Sequence, residues 1–298
     1  MPRSVTEWVD VNSDVSIVAR ESGEVWFYQK DGTDGQSSPF ATPMTGPGSV
    51  ATAVGLLDGA INLGFSRIEK NLATPAPSIP GYALALIGAY HTSVDTARNL
   101  LRAARRFEQF GRPEVTAYLE ERAREETGHD RLALKDLRAL GLPAETLVGN
   151  LIPDGIKPLC KRFDELCSED YPMGCVGYSY CLERIAALKQ ETDIAMVKAI
   201  CPDGVDATRF LRSHSGLGSE AMHVQETIEF VASLPADDRI RVVQETYVSA
   251  SIMAEGYNRE LLRSESEMIA LLERAAGETL SFVRLSAQTD EAHARPAA

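Results

Sequence analysis

One stretch of the chain, residues 113–140, reads PEVTAYLEERAREETGHDRLALKDLRAL. Its apolar residues recur at intervals of three and four, which is the spacing of an amphipathic helix. Pro113 suits a first helical turn, and Gly141 and Pro143 are typical of a helix end. The stretch therefore predicts a single helix that ends near Leu140, with charged residues on one face and a core-facing stripe on the other.

Helical periodicity of the same kind covers most of the chain that follows Ser49. We predict further helices over about 49–72, 80–110, 156–167, 172–200, 207–234 and 236–285, the last broken once. Residues 13–30 instead alternate apolar and polar around Ser22-Gly23, which predicts a hairpin of two short strands. Residues 32–48 are rich in Gly, Ser, Pro and Thr, as in a linker or surface loop.

These patterns indicate an all-α protein with a small strand-containing N-terminal extension. We expect residues 1–48 to form the extension, 49–286 a helical bundle, and 287–298 a flexible tail. The chain of 298 residues is 44% hydrophobic, which is enough to bury a substantial core.

Charge and cysteine content narrow the classes of partner. The formal net charge of −13 opposes binding to nucleic acid or to an anionic membrane surface. There is neither a signal-peptide pattern at the N-terminus nor an apolar run long enough to span a membrane, so we expect a cytoplasmic protein. The five cysteines form no CxxC pair, which favours reduced, buried thiols over disulfides or a thiolate zinc site.

Two of the five histidines share one local pattern, Glu-x-x-His, in Glu126–His129 and Glu220–His223. On a helix, residues three apart lie on the same face, so each pair points a carboxylate and an imidazole at one spot. Two such pairs, together with carboxylates from other helices, form the ligand set of dimetal bundles. Glu183 lies on an intervening helix amid apolar residues, where burial without a partner would cost several kcal/mol. A set of His and Glu ligands suits iron or manganese better than zinc.

Other interpretations of these residues remain open. The glutamates of the two pairs are also typical of solvated helix faces, and Glu183 could pair with a neighbouring arginine such as Arg184. Glu121, Glu125 and Asp130 could take the place of Glu126, although their helical phase fits less well. His91 and Asp95, four apart, could line a cavity or bond within their helix.

The spacing of these residues resembles that of the haem-oxygenase-like diiron oxidases and oxygenases. Their fold is shared with haem oxygenases, thiaminase II and the pyrroloquinoline quinone synthase. The family pattern has a Glu and a His on one helix, a Glu about 55 residues later, and a final His-x-x-x-Asp/Glu-x-x-His motif. In this sequence Glu126 and His129 resemble the first pair, Glu183 follows His129 by 54 positions, and Glu220 with His223 resembles the end of the last motif.

One family position is shifted in this chain. The remaining histidine should precede Glu220 by four residues, but Gly216 stands there and His214 lies six before. Two extra residues rotate a side chain by about 200° on a regular helix. We therefore expect His214 to be a ligand through a bend or bulge at Gly216 and Gly218.

The resemblance implies a non-haem diiron enzyme with two iron ions and dioxygen as co-substrate. It further implies a small amino-acid-like or fatty-acid-like substrate that undergoes N-oxygenation, desaturation or oxidative carbon–carbon cleavage. The implied metal ligands are Glu126, His129, Glu183, His214, Glu220 and His223. We expect a small-molecule substrate, a possible homodimer, and neither a nucleic-acid nor a membrane partner.

Three other classes of protein compete with this interpretation. A ferritin-like dimetal bundle would share both Glu-x-x-His pairs, but it needs a glutamate about 30 residues before Glu126, near Asp95. A metal-free member of the same helical fold would act as a hydrolase or a small-molecule binding protein. A structural or regulatory helical protein would use the hairpin to contact a partner and would bind no iron.

Overall fold

The computed structural model describes residues 5–30, 40, 42–66, 76–218 and 220–282. The strands are β1 (Thr6–Asp10), β2 (Val15–Arg20) and β3 (Val25–Gln29). The helices are α1 (Val50–Phe65), α2 (Ile79–Ser93), α3 (Thr96–Gln109), α4 (Pro113–Glu126), α5 (Asp130–Ala139), α6 (Ala144–Asn150), α7 (Lys157–Leu166), α8 (Gly174–Ala186), α9 (Glu191–Ile200), α10 (Arg209–Ser213), α11 (Glu220–Ser233), α12 (Ala236–Leu261) and α13 (Glu265–Ala276). The mostly helical architecture with a small N-terminal sheet confirms the predicted fold class.

The N-terminal sheet is antiparallel with strand order β1-β2-β3. Val18 of the central strand faces Trp8 on one side and Trp26 on the other. The hairpin turn includes Gly23 at φ 88°, a left-handed conformation that glycine adopts without strain. The hairpin was predicted from the sequence, whereas β1 was not.

The sheet packs closely on α1 because α1 presents glycines to it. A Cβ added at Gly55 would lie 2.9 Å from the Cβ of Ala19, and one at Gly59 would lie 2.9 Å from Cγ2 of Ile17. Only hydrogen atoms at these two positions allow such a contact. Ser49 begins α1 as its N-cap, accepting a hydrogen bond from the Thr52 backbone N–H.

A buried ion pair also ties the sheet to the helices. Arg239 on α12 is 1% exposed, and its Nε donates to Oε1 of Glu7 on β1 over 2.9 Å. The same guanidinium donates to the carbonyl oxygen of Gly46 over 2.9 Å, and Thr52 donates to the other Glu7 oxygen. Both charges are therefore compensated inside the protein.

The helices fill two apolar cores. The first contains residues of α1, α3, α4, α7, α8, α11 and α12 together with the sheet. The second contains residues of α2, α5, α6 and α13. The chain crosses between the two cores several times, and one crossing lies between α4 and α5, at residues 127–129.

Four of the predicted helices are divided in the structure. The predicted helix over 113–140 ends at Glu126 and resumes at Asp130, because Gly128 takes φ 92°, outside the helical region. The predicted helices over 80–110, 172–200 and 207–234 are likewise two helices each, and α6 was not predicted. Parts of the predicted linker (32–39 and 41) and of the first helix (67–72), and the whole predicted tail (287–298), lie outside the described residues.

No helix in the described part of the chain combines the length and the apolar character needed to cross a membrane.

Candidate metal centre

Three of the six predicted ligands form a compact cluster at the junction of the two cores. The ligand atoms offered by Glu126, His129 and His214 all lie within 4.8 Å of one another. His129 Nδ1 is 3.2 Å from Glu126 Oε2, and the rings of His129 and His214 meet edge to face with centroids 4.6 Å apart. All three residues are partly buried. The cluster joins two imidazoles and one carboxylate from two distant parts of the sequence.

Glu126 and His129 do not share a helical face as predicted. Glu126 is the last residue of α4, and His129 is the residue that precedes α5. The turn between them depends on the left-handed Gly128, so it is the turn that brings the imidazole back to the carboxylate. The two side chains do meet, but a turn and not a shared helical face brings them together.

His214 can reach the cluster because it is not on the same helix as Glu220. It caps the C-terminal end of α10, and α11 begins at Glu220 after a turn that contains Gly216 and Gly218. Gly216 N–H donates to the carbonyl oxygen of Lys189 over 3.1 Å, and a Cβ there would lie 2.6 Å from the carbonyl oxygen of Ala187. The bend expected at these glycines is therefore a complete break between two helices.

Asp136 on α5 fixes the start of α10 and so positions His214. Its carboxylate is fully buried and accepts hydrogen bonds from the Phe210 backbone N–H at 2.8 Å and from Arg209 Nη1 at 3.0 Å. A carboxylate at the N-terminus of a helix accepts hydrogen bonds from backbone N–H groups that have no partner within the helix. Burial raises the pKa of Asp136 above its ordinary value, although these hydrogen bonds oppose the shift.

The imidazole of His214 is held in a fixed orientation. Its ring stacks on Phe210 with centroids 4.1 Å apart, and its Nδ1 lies 3.3 Å from the carbonyl oxygen of Phe210. When Nδ1–H donates to a backbone carbonyl, the lone pair resides on Nε2, the arrangement in which histidines bind metals. Burial lowers the pKa of His214 to about 4, which keeps the ring neutral at neutral pH.

Glu126 is surrounded by histidines. Burial opposes its ionisation, but the hydrogen bond with His129 and the nearby imidazoles of His129, His214 and His223 outweigh burial, so its pKa lies below the ordinary value. A carboxylate with a lowered pKa is ionised at neutral pH and can bind a metal ion without first losing a proton.

His223 lies within α11, and its charge acts on Glu126. It is 4% exposed, and its Nε2 is 3.7 Å from Oε2 of Glu125. Burial, followed by the positive charge of Arg122, lowers the pKa of His223. The structure thus brings His223 near Glu126, but the carboxylate that contacts the His223 ring is that of Glu125. In the sequence, Glu125 was a less favoured ligand than Glu126 because of its helical phase.

Glu183 shares a cavity with Glu126 and His214. This cavity, of about 220 Å³, is otherwise lined largely by apolar and small residues. The arginine next to Glu183 in the sequence, Arg184, is bound to Asp58, with Nη2 2.8 Å from Oδ2. The alternative in which a neighbouring arginine pairs with Glu183 stays open, because the charge of Glu183 also acts on Arg122. Glu220 begins α11, but its side chain lies outside the described residues.

Arg122 is a site residue that sequence reasoning missed. Its side chain is 6% exposed and its Nη2 lies 3.0 Å from Glu125 Oε2, with a second contact to Glu226. The guanidinium also lies over the Tyr118 ring, 5.7 Å from its centroid. An arginine three or four residues before two glutamates is typical of an exposed helix face, so the burial of Arg122 was not predictable from the spacing.

The donor atoms of Glu126, His129 and His214 fit a metal ion, and a second ion depends on the three other predicted ligands. Two imidazoles and one carboxylate are the facial set of non-haem iron sites, and the three donors here already converge. A second ion would have to be held by Glu183 and His223 with Glu220. Arg122 already contributes a positive charge close to that second position. The ligand roles of all six residues stay predictions.

The low pKa of His214 predicts how stability depends on pH in protein stripped of metal. In the unfolded chain His214 has its ordinary pKa near 6.5, whereas in the folded chain its pKa is about 4. Between pH 6.5 and 4 the unfolded chain therefore binds a proton that the folded chain does not. Stability therefore falls as pH decreases through this window, by roughly 1 to 3 kcal/mol from this residue. Urea unfolding of the wild type and His214→Gln at pH 7 and pH 4.5 would measure this. The variant is expected to lose less stability on acidification, and an equal loss in both proteins would contradict the assignment.

Comparison with solved structures shows that the chain has a haem-oxygenase-like helical fold. A TenA homologue from Pseudomonas syringae pv. tomato aligns at TM-score 0.51 and 14% identity, covering 70% of this chain and 92% of the homologue. A domain of unknown function with a heme oxygenase-like fold, from Shewanella denitrificans, aligns at TM-score 0.49 and 20% identity, covering 71% and 88% of the two chains. No protein-family model and no curated protein matches the sequence significantly.

Proposed function

We propose that this protein is a non-haem iron oxygenase with a dinuclear centre, which uses dioxygen to oxidise a small organic substrate. One observation carries the proposal: Glu126 lies among three of the chain's five histidines, His129, His214 and His223, which come from separate turns and helices. A cluster of buried titratable side chains whose pKa values are shifted by one another is typical of a functional site.

The residues of the chain supply the binding and the environment. His129, His214 and Glu126 would hold the first ion, and His223, Glu183 and Glu220 the second. Iron bound at such a site supplies the redox chemistry of dioxygen, which side chains alone do not provide. The apolar cavity that adjoins Glu126 and Glu183 would hold the substrate and exclude water.

The experiment is metal loading followed by oxygen consumption. Protein stripped with chelator is loaded anaerobically with ferrous iron, desalted and assayed for bound iron, then exposed to air with candidate amino acids and aliphatic compounds. We expect about two irons per chain and dioxygen uptake that depends on one substrate class. A full iron complement in the double variant His129→Ala/His223→Ala would overturn the proposed ligands, and the absence of bound iron from the wild type would overturn the function.

A metal-free activity is the second candidate, and Arg122 favours it. Its guanidinium already lies against Glu125 and Glu226 and close to Glu183, so part of the negative charge in this region is compensated without a cation from outside. A TenA homologue is among the structures with this fold. A metal-free member would bind or hydrolyse a small molecule in the same cavity, and it would retain that activity after treatment with chelator.

A further inference from the structure

The N-terminal sheet has one open edge. β3 is an edge strand of the order β1-β2-β3, and within the described residues no further strand pairs with it. The opposite edge, β1, contacts α12, where Gln244 Nε2 donates to the carbonyl oxygen of Asp10 over 2.7 Å. An open edge carries a row of backbone N–H and C=O groups that can pair with a strand of another chain.

The hydrogen bonds of the hairpin show which residues of β3 face this edge. Arg20 N–H donates to the carbonyl oxygen of Glu24 over 2.9 Å, and Lys30 N–H donates to that of Asp14 over 2.8 Å. Hydrogen-bonded positions alternate along an antiparallel pair, so the even-numbered residues of β3 bond to β2. The backbone groups that point to the open edge are therefore those of Val25, Phe27 and Gln29.

The composition of β3 favours pairing at this edge. Its sequence, VWFYQ, contains neither a charged residue nor a proline, the two residue types that commonly protect an edge strand. Val25 and Phe27 are 41% and 42% exposed. β-branched and aromatic residues are the ones that pack well across strands. A second strand would therefore find a regular, uncharged surface.

The two ends of the strand carry opposite charges. Glu24 precedes β3 and Lys30 follows it, each three residues from Phe27. When a second copy of the chain pairs antiparallel about a twofold axis at Phe27, Glu24 of one copy lies opposite Lys30 of the other at both ends. Opposite charges directly across two strands stabilise their pairing.

The same register matches the backbone and the aromatic residues. Val25 of one copy lies opposite Gln29 of the other, so the outward N–H and C=O groups of both strands meet. Trp26 of one copy lies opposite Tyr28 of the other, and aromatic pairs across strands are also stabilising. The edge is thus complementary to a second copy of itself.

Glu24 and Lys30 already have partners within one copy. Glu24 Oε2 lies 2.9 Å from Arg20 Nη1, and Lys30 Nζ lies 2.8 Å from Asp10 Oδ2. Both pairs are partly exposed, and pairs at the surface contribute little to stability. The two charged side chains can therefore turn to a second copy at little cost.

We propose that β3 is an interface between two copies of this chain, which pair antiparallel about Phe27 into one continuous sheet with three strands from each copy. A twofold interface uses the same surface on both copies and therefore closes on itself. Strand pairing alone buries a small area, so the dimer is weak and depends on concentration. The interface belongs to the N-terminal extension and is independent of the proposed function.

Sedimentation velocity of the full chain over about a hundredfold range of concentration measures the dimer. We expect monomer at the low end and dimer at the high end. Phe27→Lys places two like charges opposite each other at the axis, and we expect it to raise the dissociation constant at least about tenfold. Leu188→Lys, at an apolar residue that is 61% exposed and lies outside the sheet, is the matched control and should dimerise like the wild type.

Charge reversal tests the register. Glu24→Lys and Lys30→Glu each bring two like charges together between the copies, so each should weaken the dimer. The double variant restores opposite charges across the axis and should recover most of the affinity, although the pairs with Arg20 and Asp10 stay broken. Recovery therefore distinguishes a contact between copies from a contact within one copy. Arg98→Glu, which reverses an exposed charge on α3, is the control and should have no effect.

Hydrogen exchange gives a second measurement that needs no variant. The backbone N–H groups of residues 25, 27 and 29 should exchange more slowly at high protein concentration than at low concentration. A wild type that stays monomeric over the whole range would overturn the proposal, and so would a dimer that Phe27→Lys leaves intact. A double charge reversal that dimerises no better than either single variant would overturn the pairing about Phe27.

Discussion

His214→Ala is expected to weaken ferrous-iron binding by at least ~100-fold, since loss of an outer-shell partner alone typically costs 10- to 100-fold. His214 supplies one of the three converging donors, and its orientation is fixed by Phe210 and by the turn that follows. Another side chain that rotates towards the metal ion would therefore replace His214 poorly as a ligand. Competition of the protein with a calibrated chelator for ferrous iron, under anaerobic conditions, measures the change.

His91→Ala is the matched control for this prediction. His91 is also a partly buried histidine, but its Nε2 lies 2.8 Å from the carbonyl oxygen of Leu151, away from the cluster. The iron affinity of the His91→Ala variant should equal that of the wild type. Equal affinities of His214→Ala and the wild type would remove His214 from the ligand set, and equal losses in His214→Ala and His91→Ala would point to a general effect on folding.

Arg239→Ala is expected to lower the free energy of unfolding by about 3 to 5 kcal/mol, because it leaves the Glu7 carboxylate buried without its cation. The same change removes the donor to Gly46, so the segment that precedes α1 also loses a connection to α12. Urea unfolding followed by circular dichroism measures the shift. The exposed pair Arg20–Glu24 provides the control, and Arg20→Ala should change the free energy by less than about 1 kcal/mol.

A double variant separates the charge from the packing. In Glu7→Gln/Arg239→Met neither charge is buried alone, so we expect it to recover part of the loss seen in Arg239→Ala. A loss in Arg239→Ala no larger than that in Arg20→Ala would contradict a buried, energetically coupled pair. Iron binding at low urea should be unchanged in these variants, because Glu7 and Arg239 lie outside the candidate centre.

Helical periodicity was sufficient to predict the fold class, but not the ends of the helices. The apolar spacing continues through residues 113–140 without interruption, whereas the break at Gly128 depends on a backbone conformation that the spacing does not reveal. A glycine inside a helical pattern is compatible with a bulge, a close approach or a helix end, and only the third applies here. Strand β1 was missed because five residues give too few alternations to stand out.

The candidate site was predictable where spacing along the chain carried the information. Glu126, His129 and His214 were named from a resemblance and from an unusual repetition of Glu-x-x-His, and the structure places them together. Asp136 and Arg122 were not predictable, because their roles depend on contacts between segments about 74 and 104 residues apart. Contacts between such distant segments cannot be predicted from the spacing of neighbouring residues in the sequence.

All three residues of the cluster occupy helix ends: Glu126 closes α4, His129 precedes α5, and His214 closes α10. Short turns set the orientation of side chains at such positions, whereas the packing of the two cores depends on residues in the middle of the helices. Inserting or deleting a residue in one of these turns would redirect a ligand without disturbing the layers around it. An architecture of this kind can exchange one chemistry for another during evolution while its scaffold stays the same.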